Sequence, residues 1–179
     1  LAASAFASAA TAEPRRWSVD VTRSTLAIVY LIDGAKRRGD FGSFSGEAVF
    51  DPDDLSSAEL EFVIDTPTLD AGDGFTTDFV KGGDWMDVKT HPTARFVLTE
   101  MTALGDDRYG VIGDLTLRGT TGVVSGEMTL TIGETEVQAV GSSLFRRKEY
   151  GVGVGFTTLF VDVGDEIAVA FDLTATPVE

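Results

Sequence analysis

Hydrophobic residues recur at every second position over much of this chain. Leu26, Ile28, Tyr30 and Ile32 alternate with Ala27, Val29 and Leu31, and Phe44, Gly46, Ala48 and Phe50 with Ser45, Glu47 and Val49. Leu60, Phe62 and Ile64 repeat the pattern, as do Ala94, Phe96 and Leu98, then Leu115 and Leu117, then Val124, Met128, Leu130 and Ile132. Ile167, Val169, Phe171 and Leu173 close the series. A period of two belongs to strands with one dry and one wet face, and an amphipathic helix cannot produce it. Asp33-Gly34, Asp51-Pro52-Asp53-Asp54, Gly105-Asp106-Asp107, Arg118-Gly119, Gly133-Glu134 and Gly164-Asp165 supply turn chemistry between the runs. About eight strands of about ten residues follow, each long enough to span about 33 Å. No linker-like segment divides the 179 residues. The expectation is therefore a single all-β antiparallel domain, whose closure into a barrel would remove its edge strands.

Two segments break the period. Residues 75–86, FTTDFVKGGDWM, predict a short helix near residues 76–81, with Thr76 or Thr77 as N-cap and Gly82-Gly83 as the stop. Such a helix, with bulky Trp85 and Met86 beside it, would close one end of a barrel. Residues 146–155, RRKEYGVGVG, read as a glycine-rich bend or mobile loop.

Composition removes several functions. There is no cysteine and a single histidine, His91, which excludes thiol chemistry and any site needing two imidazoles within the chain. The 29 Asp and Glu against 14 Lys and Arg give a net charge of -15, a field that repels nucleic acid and anionic lipid surfaces. His91 precedes Pro92 at a loop-to-strand boundary, with no nucleophile motif to serve. Asp51, Asp53 and Asp54 lack the ligand spacing of a calcium loop, and Asp70, Asp73 and Asp78 approach it little better. Neither a catalytic residue nor a metal or cofactor is expected. Residues 1–12, LAASAFASAATA, resemble the late part of a secretory signal with an A-x-A-like site, so a partial signal peptide or leader and a periplasmic or secreted location are expected.

An eight-stranded barrel encloses room for its own side chains or for one small ligand. On the pattern alone, inward Phe41, Phe44, Phe50, Phe62, Phe96 and Phe171 read as an ordinary core. Several short motifs point further. Trp17-Ser18-Val19-Asp20 is followed by Gly39-Asp40-Phe41-Gly42-Ser43-Phe44-Ser45-Gly46, then by Asp84-Trp85-Met86-Asp87-Val88 and His91-Pro92-Thr93-Ala94-Arg95-Phe96. Gly113-Asp114-Leu115-Thr116-Leu117-Arg118-Gly119-Thr120-Thr121, Arg147-Lys148-Glu149-Tyr150-Gly151 and Val163-Gly164-Asp165-Glu166-Ile167 complete the order. Over residues 17–178 this succession resembles the YceI family of polyisoprenoid-binding proteins. The chain departs from that pattern at Thr77, at Arg146 and at Gly122-Val123-Val124.

The resemblance implies an eight-stranded antiparallel lipocalin-like barrel whose apolar tunnel binds and carries or sequesters an isoprenoid lipid, the tail of a quinone or polyprenyl phosphate, without enzymatic chemistry. Candidate tunnel-lining residues are Ile28, Tyr30, Phe41, Phe44, Phe62 and Ile64, then Phe79, Trp85, Met86, Phe96 and Leu98, then Leu115, Met128, Leu130, Val169 and Phe171. Arg38, Arg147 and Tyr150 are head-group candidates. A membrane b561-type cytochrome and a second copy of the chain are candidate protein partners. The rival reading is a filled-core module that docks on such a cytochrome.

Overall fold

The computed structural model describes residues 15–178, so the leader-like residues 1–12 lie outside the described residues. Eleven β-segments form one antiparallel sheet. They are β1 (Arg15–Val19), β2 (Thr25–Ile32), β3 (Ala35–Phe41), β4 (Phe44–Phe50), β5 (Glu59–Asp65), β6 (Leu69–Asp70), β7 (Thr93–Gly105), β8 (Arg108–Leu117), β9 (Thr120–Ile132), β10 (Val137–Arg146) and β11 (Glu166–Pro177). β1 and β2 together flank one side of β11, β3 and β4 run on from one another, and β6 extends β5. The segments thus make eight staves. Pairing of β1 with β11 closes them into a barrel, the architecture expected from the period-two pattern and the family resemblance.

Turn chemistry fixes three hairpins. Asp33-Gly34, Asp106-Asp107 and Arg118-Gly119 all take positive φ, the left-handed pair that a two-residue turn needs to match strand twist. Three strands left little trace in the alternation. β3 reads AKRRGDF, β10 reads VQAVGSSLFR, and the short β1 precedes the first clear run. The inward faces of β3 and β10 are interrupted by Gly39 and by Ala139, Gly141 and Ser143, and β1 is too short to show a period, so each leaves only a broken apolar alternation.

The single α-helix among the described residues, α1 (Gly74–Lys81), starts earlier than expected. Asp73, not Thr76 or Thr77, is its N-cap, because the Asp73 carboxylate accepts the Thr76 amide at 2.9 Å and the Thr76 hydroxyl at 2.7 Å. These bonds, led by the Thr76 amide, hold the Asp73 carboxyl below its ordinary range. The helix ends where expected, with Gly82 as C-cap.

Three apolar clusters are stacked along the barrel. Trp17, Met101, Leu130 and Val137 fill the end away from α1. Leu26, Phe44 and Phe62 form a middle layer, joined by Phe96, Phe171 and Leu173. Trp85, Met86, Val88, Leu117, Tyr150 and Val152 cluster at the α1 end.

Candidate functional site

Between α1 and the middle layer the barrel is hollow. The cavity measures about 530 Å³ and its wall is almost wholly apolar. Strands supply the wall: Ile28, Tyr30 and Ile32 from β2, Phe41 from β3, Ile64 from β5, Leu115 and Leu117 from β8, Phe145 from β10, and Ile167 and Val169 from β11. Successive contributors on β2 and on β8 are two residues apart, as one face of a strand demands. α1 and its sequel form the cover through Phe75, Phe79, Val80, Trp85 and Met86. Phe79 packs on Trp85 with ring centroids 5.4 Å apart. A 3-10 helix, Phe156–Phe160, completes the rim. There Phe75, Phe156 and Phe160 line the cavity and are also 82%, 71% and 74% exposed, so the mouth is ringed with aromatic surface.

Nine of the candidate lining residues meet at this cavity: Ile28, Tyr30, Phe41, Ile64, Phe79, Trp85, Met86, Leu115 and Val169. The other seven do not. Phe44, Phe62, Phe96 and Phe171 belong to the middle layer, and Leu98, Met128 and Leu130 to the far cluster. They are inside the barrel as alternation requires, but they pack on one another beneath the cavity. Phe75, Phe156, Phe160 and Val163 line it without having been singled out by the sequence. The FTTLF spacing of Phe156 and Phe160 was the available signal, masked by an unpatterned loop.

Arg147 is buried, 4% exposed, and lines the cavity. Its Nε donates to the Gly164 carbonyl at 2.9 Å and its Nη2 to Val163 at 2.7 Å. Its Nη1 donates to Val152 at 2.8 Å and Gly153 at 2.6 Å. The guanidinium also lies 5.1 Å from the Trp85 ring centroid. Burial pushes its pKa down, opposed by the charges of Asp165 and Asp162. With four N–H groups engaged, no free fork remains on this head-group candidate for a phosphate, and Arg147 staples the mouth. Arg118, unnoticed in the sequence except as a turn residue, staples the same region by donating to the Gly151 and Gly83 carbonyls. Arg38 is half-exposed and paired with Asp40 at 2.7 Å, away from the cavity lining. Tyr150 is buried edge-on against Phe145 and is likewise absent from the lining.

The glycines of residues 151–155 serve close approach rather than looseness. A Cβ on Gly153 would lie 2.5 Å from the Trp85 ring, and one on Gly155 would collide with the Asp84 carboxylate. Two buried polar atoms of lining residues, Tyr30 Oη and Trp85 Nε1, find no hydrogen-bond partner among the described residues. Such atoms are few in native proteins and each leaves about 1–3 kcal/mol unrecovered. Burial raises the Tyr30 phenol above its ordinary pKa, helped by Asp73 and opposed by Arg37. The acidic residues weighed for calcium have local uses: Asp51, Asp54 and Asp70 accept backbone amides two residues ahead, and no group of three or more possible metal ligands occurs among the described residues.

A closed barrel with one apolar chamber under a helical cover defines a class of β-barrels built around an internal hollow. Within that class, the YceI-like domain profile matches residues 17–175, and the chain belongs to this family. Burkholderia cenocepacia BcnA has a similar structure, with a TM-score of 0.81 and 31% identity over 88% of this chain and 99% of that one. A polyisoprenoid binding domain from Saccharophagus degradans shares the fold at a TM-score of 0.74 and 18% identity, covering 90% and 98% of the two chains. A UPF0312 protein of Vibrio vulnificus is 33% identical over 84 residues, which spans 47% of this chain and 44% of that relative.

Proposed function

We propose that this protein binds an isoprenoid lipid, holding the apolar tail in the barrel cavity, and carries or sequesters it without chemical change. The observation that carries the reading is the hollow itself: about 530 Å³ of nearly uniform apolar wall opening onto an exposed aromatic rim. Membership of the YceI-like family and a fold shared with a polyisoprenoid binding domain support it. At about 0.8 kcal/mol per buried methylene-sized group, tail burial would drive binding, offset by about 4–15 kcal/mol of lost freedom.

A neutral, oxygen-bearing head such as a quinone suits the chamber better than a polyprenyl phosphate. Arg147 has its donors engaged, whereas Tyr30 and Trp85, which line the cavity, carry buried polar atoms without a partner among the described residues. A filled-core docking module would need packing throughout the barrel, and the α1 end lacks it. The leader-like N-terminus supports action in the periplasm or outside the cell. Organic extraction of protein exported from a bacterial host, followed by mass spectrometry, should yield a prenyl lipid near one per chain. Protein that returns none, and that takes up none from vesicles containing ubiquinone, would refute the proposal.

A further inference from the structure

Beneath the residues that line the cavity lies a layer of rings seated over glycines. Phe62 pairs across the sheet with Gly46, where a Cβ would lie 2.6 Å from the ring. Phe171 pairs with Gly141, where a Cβ would lie 2.7 Å from its Cζ. The Phe96 ring covers Gly113 closely enough that any Cβ there would collide with it. Phe44 stacks on Phe62 at 5.5 Å. The strand pairs β4–β5, β7–β8 and β10–β11 thus repeat one device, a missing side chain on one strand that lets a ring from the next lie across the lumen, although at Gly141 the Glu127 carbonyl of β9 also leaves no room for a Cβ. General core filling needs apolar volume but not a glycine seat under each ring.

We infer that this aromatic layer is a length gauge, setting how many prenyl units of a bound tail enter the barrel. The inference rests on the lipid-binding reading. At about 30 Å³ for each liquid-packed heavy atom, about 530 Å³ admits roughly 18 atoms, or roughly three to four five-carbon units. Farther units of a longer tail stay at the mouth among Phe75, Phe156 and Phe160, which remain largely exposed and exclude less water.

The test is a titration of the full chain with geraniol, farnesol, geranylgeraniol and solanesol, read by quenching of tryptophan fluorescence. Affinity should climb by at least about tenfold from geraniol to farnesol and then level, changing less than about threefold from geranylgeraniol to solanesol. Phe96→Ala, which removes a ring about the size of one prenyl unit, should move the plateau about one unit longer. Val169→Phe, which thickens the floor from above, should move it about one unit shorter, so the gauge remains testable if the first variant fails to fold. Affinity that keeps climbing to solanesol in the wild type, or a plateau fixed in the folded variants, would overturn the gauge and leave lipid binding intact. No binding at any length would instead remove the lipid-binding reading and the gauge with it.

Discussion

Replacing Arg147 by Met should unfasten the mouth of the barrel. The guanidinium serves the carbonyls of Val152, Gly153, Val163 and Gly164, which belong to two separate stretches of chain. Met keeps the apolar length of the side chain but donates nothing. A buried carbonyl left without a donor costs about 1–3 kcal/mol. Local relaxation and water would rescue some of the four, and loss of the Trp85 contact adds about 0.5–2 kcal/mol. The expected destabilisation is about 4 kcal/mol, a large fraction of the 5–15 kcal/mol typical of a domain. In urea, with a slope of about 2 kcal/mol per molar, the midpoint should fall by about 2 M. Arg147→Lys keeps the charge but loses the planar fork, and should fall about half as far. Amide exchange should accelerate first in residues 151–164. A midpoint shift below about 0.5 M for Arg147→Met, or a Lys variant as stable as the wild type, would show that the four bonds do not hold the mouth.

Three further outcomes follow from the same geometry. Gly113→Ala should cost about 2–3 kcal/mol in chemical denaturation, because its Cβ would meet the Phe96 ring and the Val97 carbonyl, whereas Gly74→Ala, with open space around it, should gain up to about 1 kcal/mol. Leu115→Trp should place an indole in the chamber, leave the unfolding free energy within about 1 kcal/mol of wild type (a urea midpoint within about 0.5 M), and abolish uptake of geranylgeraniol; full uptake would show that the cavity is not the binding site. Burial raises the phenol pKa of Tyr30 and of Tyr150 above the ordinary value of about 10. The folded state therefore holds these protons more tightly, so their share of stability is complete below pH about 10 and declines as pH climbs toward the folded values. The double variant Tyr30→Phe/Tyr150→Phe should flatten that alkaline decline in a urea-midpoint series, and an unchanged slope would contradict it.

The strands most easily read in the sequence were those that build the chamber wall and floor. β2, β4, β5 and β11 present large apolar residues at alternate positions, and the turn that follows β2 has positive φ at Asp33 and Gly34. β3 was opaque because Lys36, Arg37 and Arg38 fill its centre, and β10 because Gly141 and Ser143 interrupt its inward face while Val140 and Leu144 place apolar side chains outward. Alternation also sorts inside from outside but not depth along the lumen. Phe62 and Ile64 stand on the same face of β5, yet Ile64 lines the chamber and Phe62 seals it from below. That distinction depends on Gly46 across the sheet, a long-range pairing that a residue's own neighbours do not reveal. Arg147 was visible as the first residue of the Arg147-Lys148-Glu149-Tyr150-Gly151 motif and as a head-group candidate, but its role depends on four carbonyls brought in by folding, which no spacing encodes.

The existence of an occupiable hollow is open to direct view. A crystal grown with geranylgeraniol should show continuous density running from the aromatic rim of Phe75, Phe156 and Phe160, past Tyr30 and Leu115, and stopping above the layer that holds Phe96. A map in which Leu115, Ile64 and Val169 close on one another, with the lipid absent or bound only outside the barrel, would contradict the account.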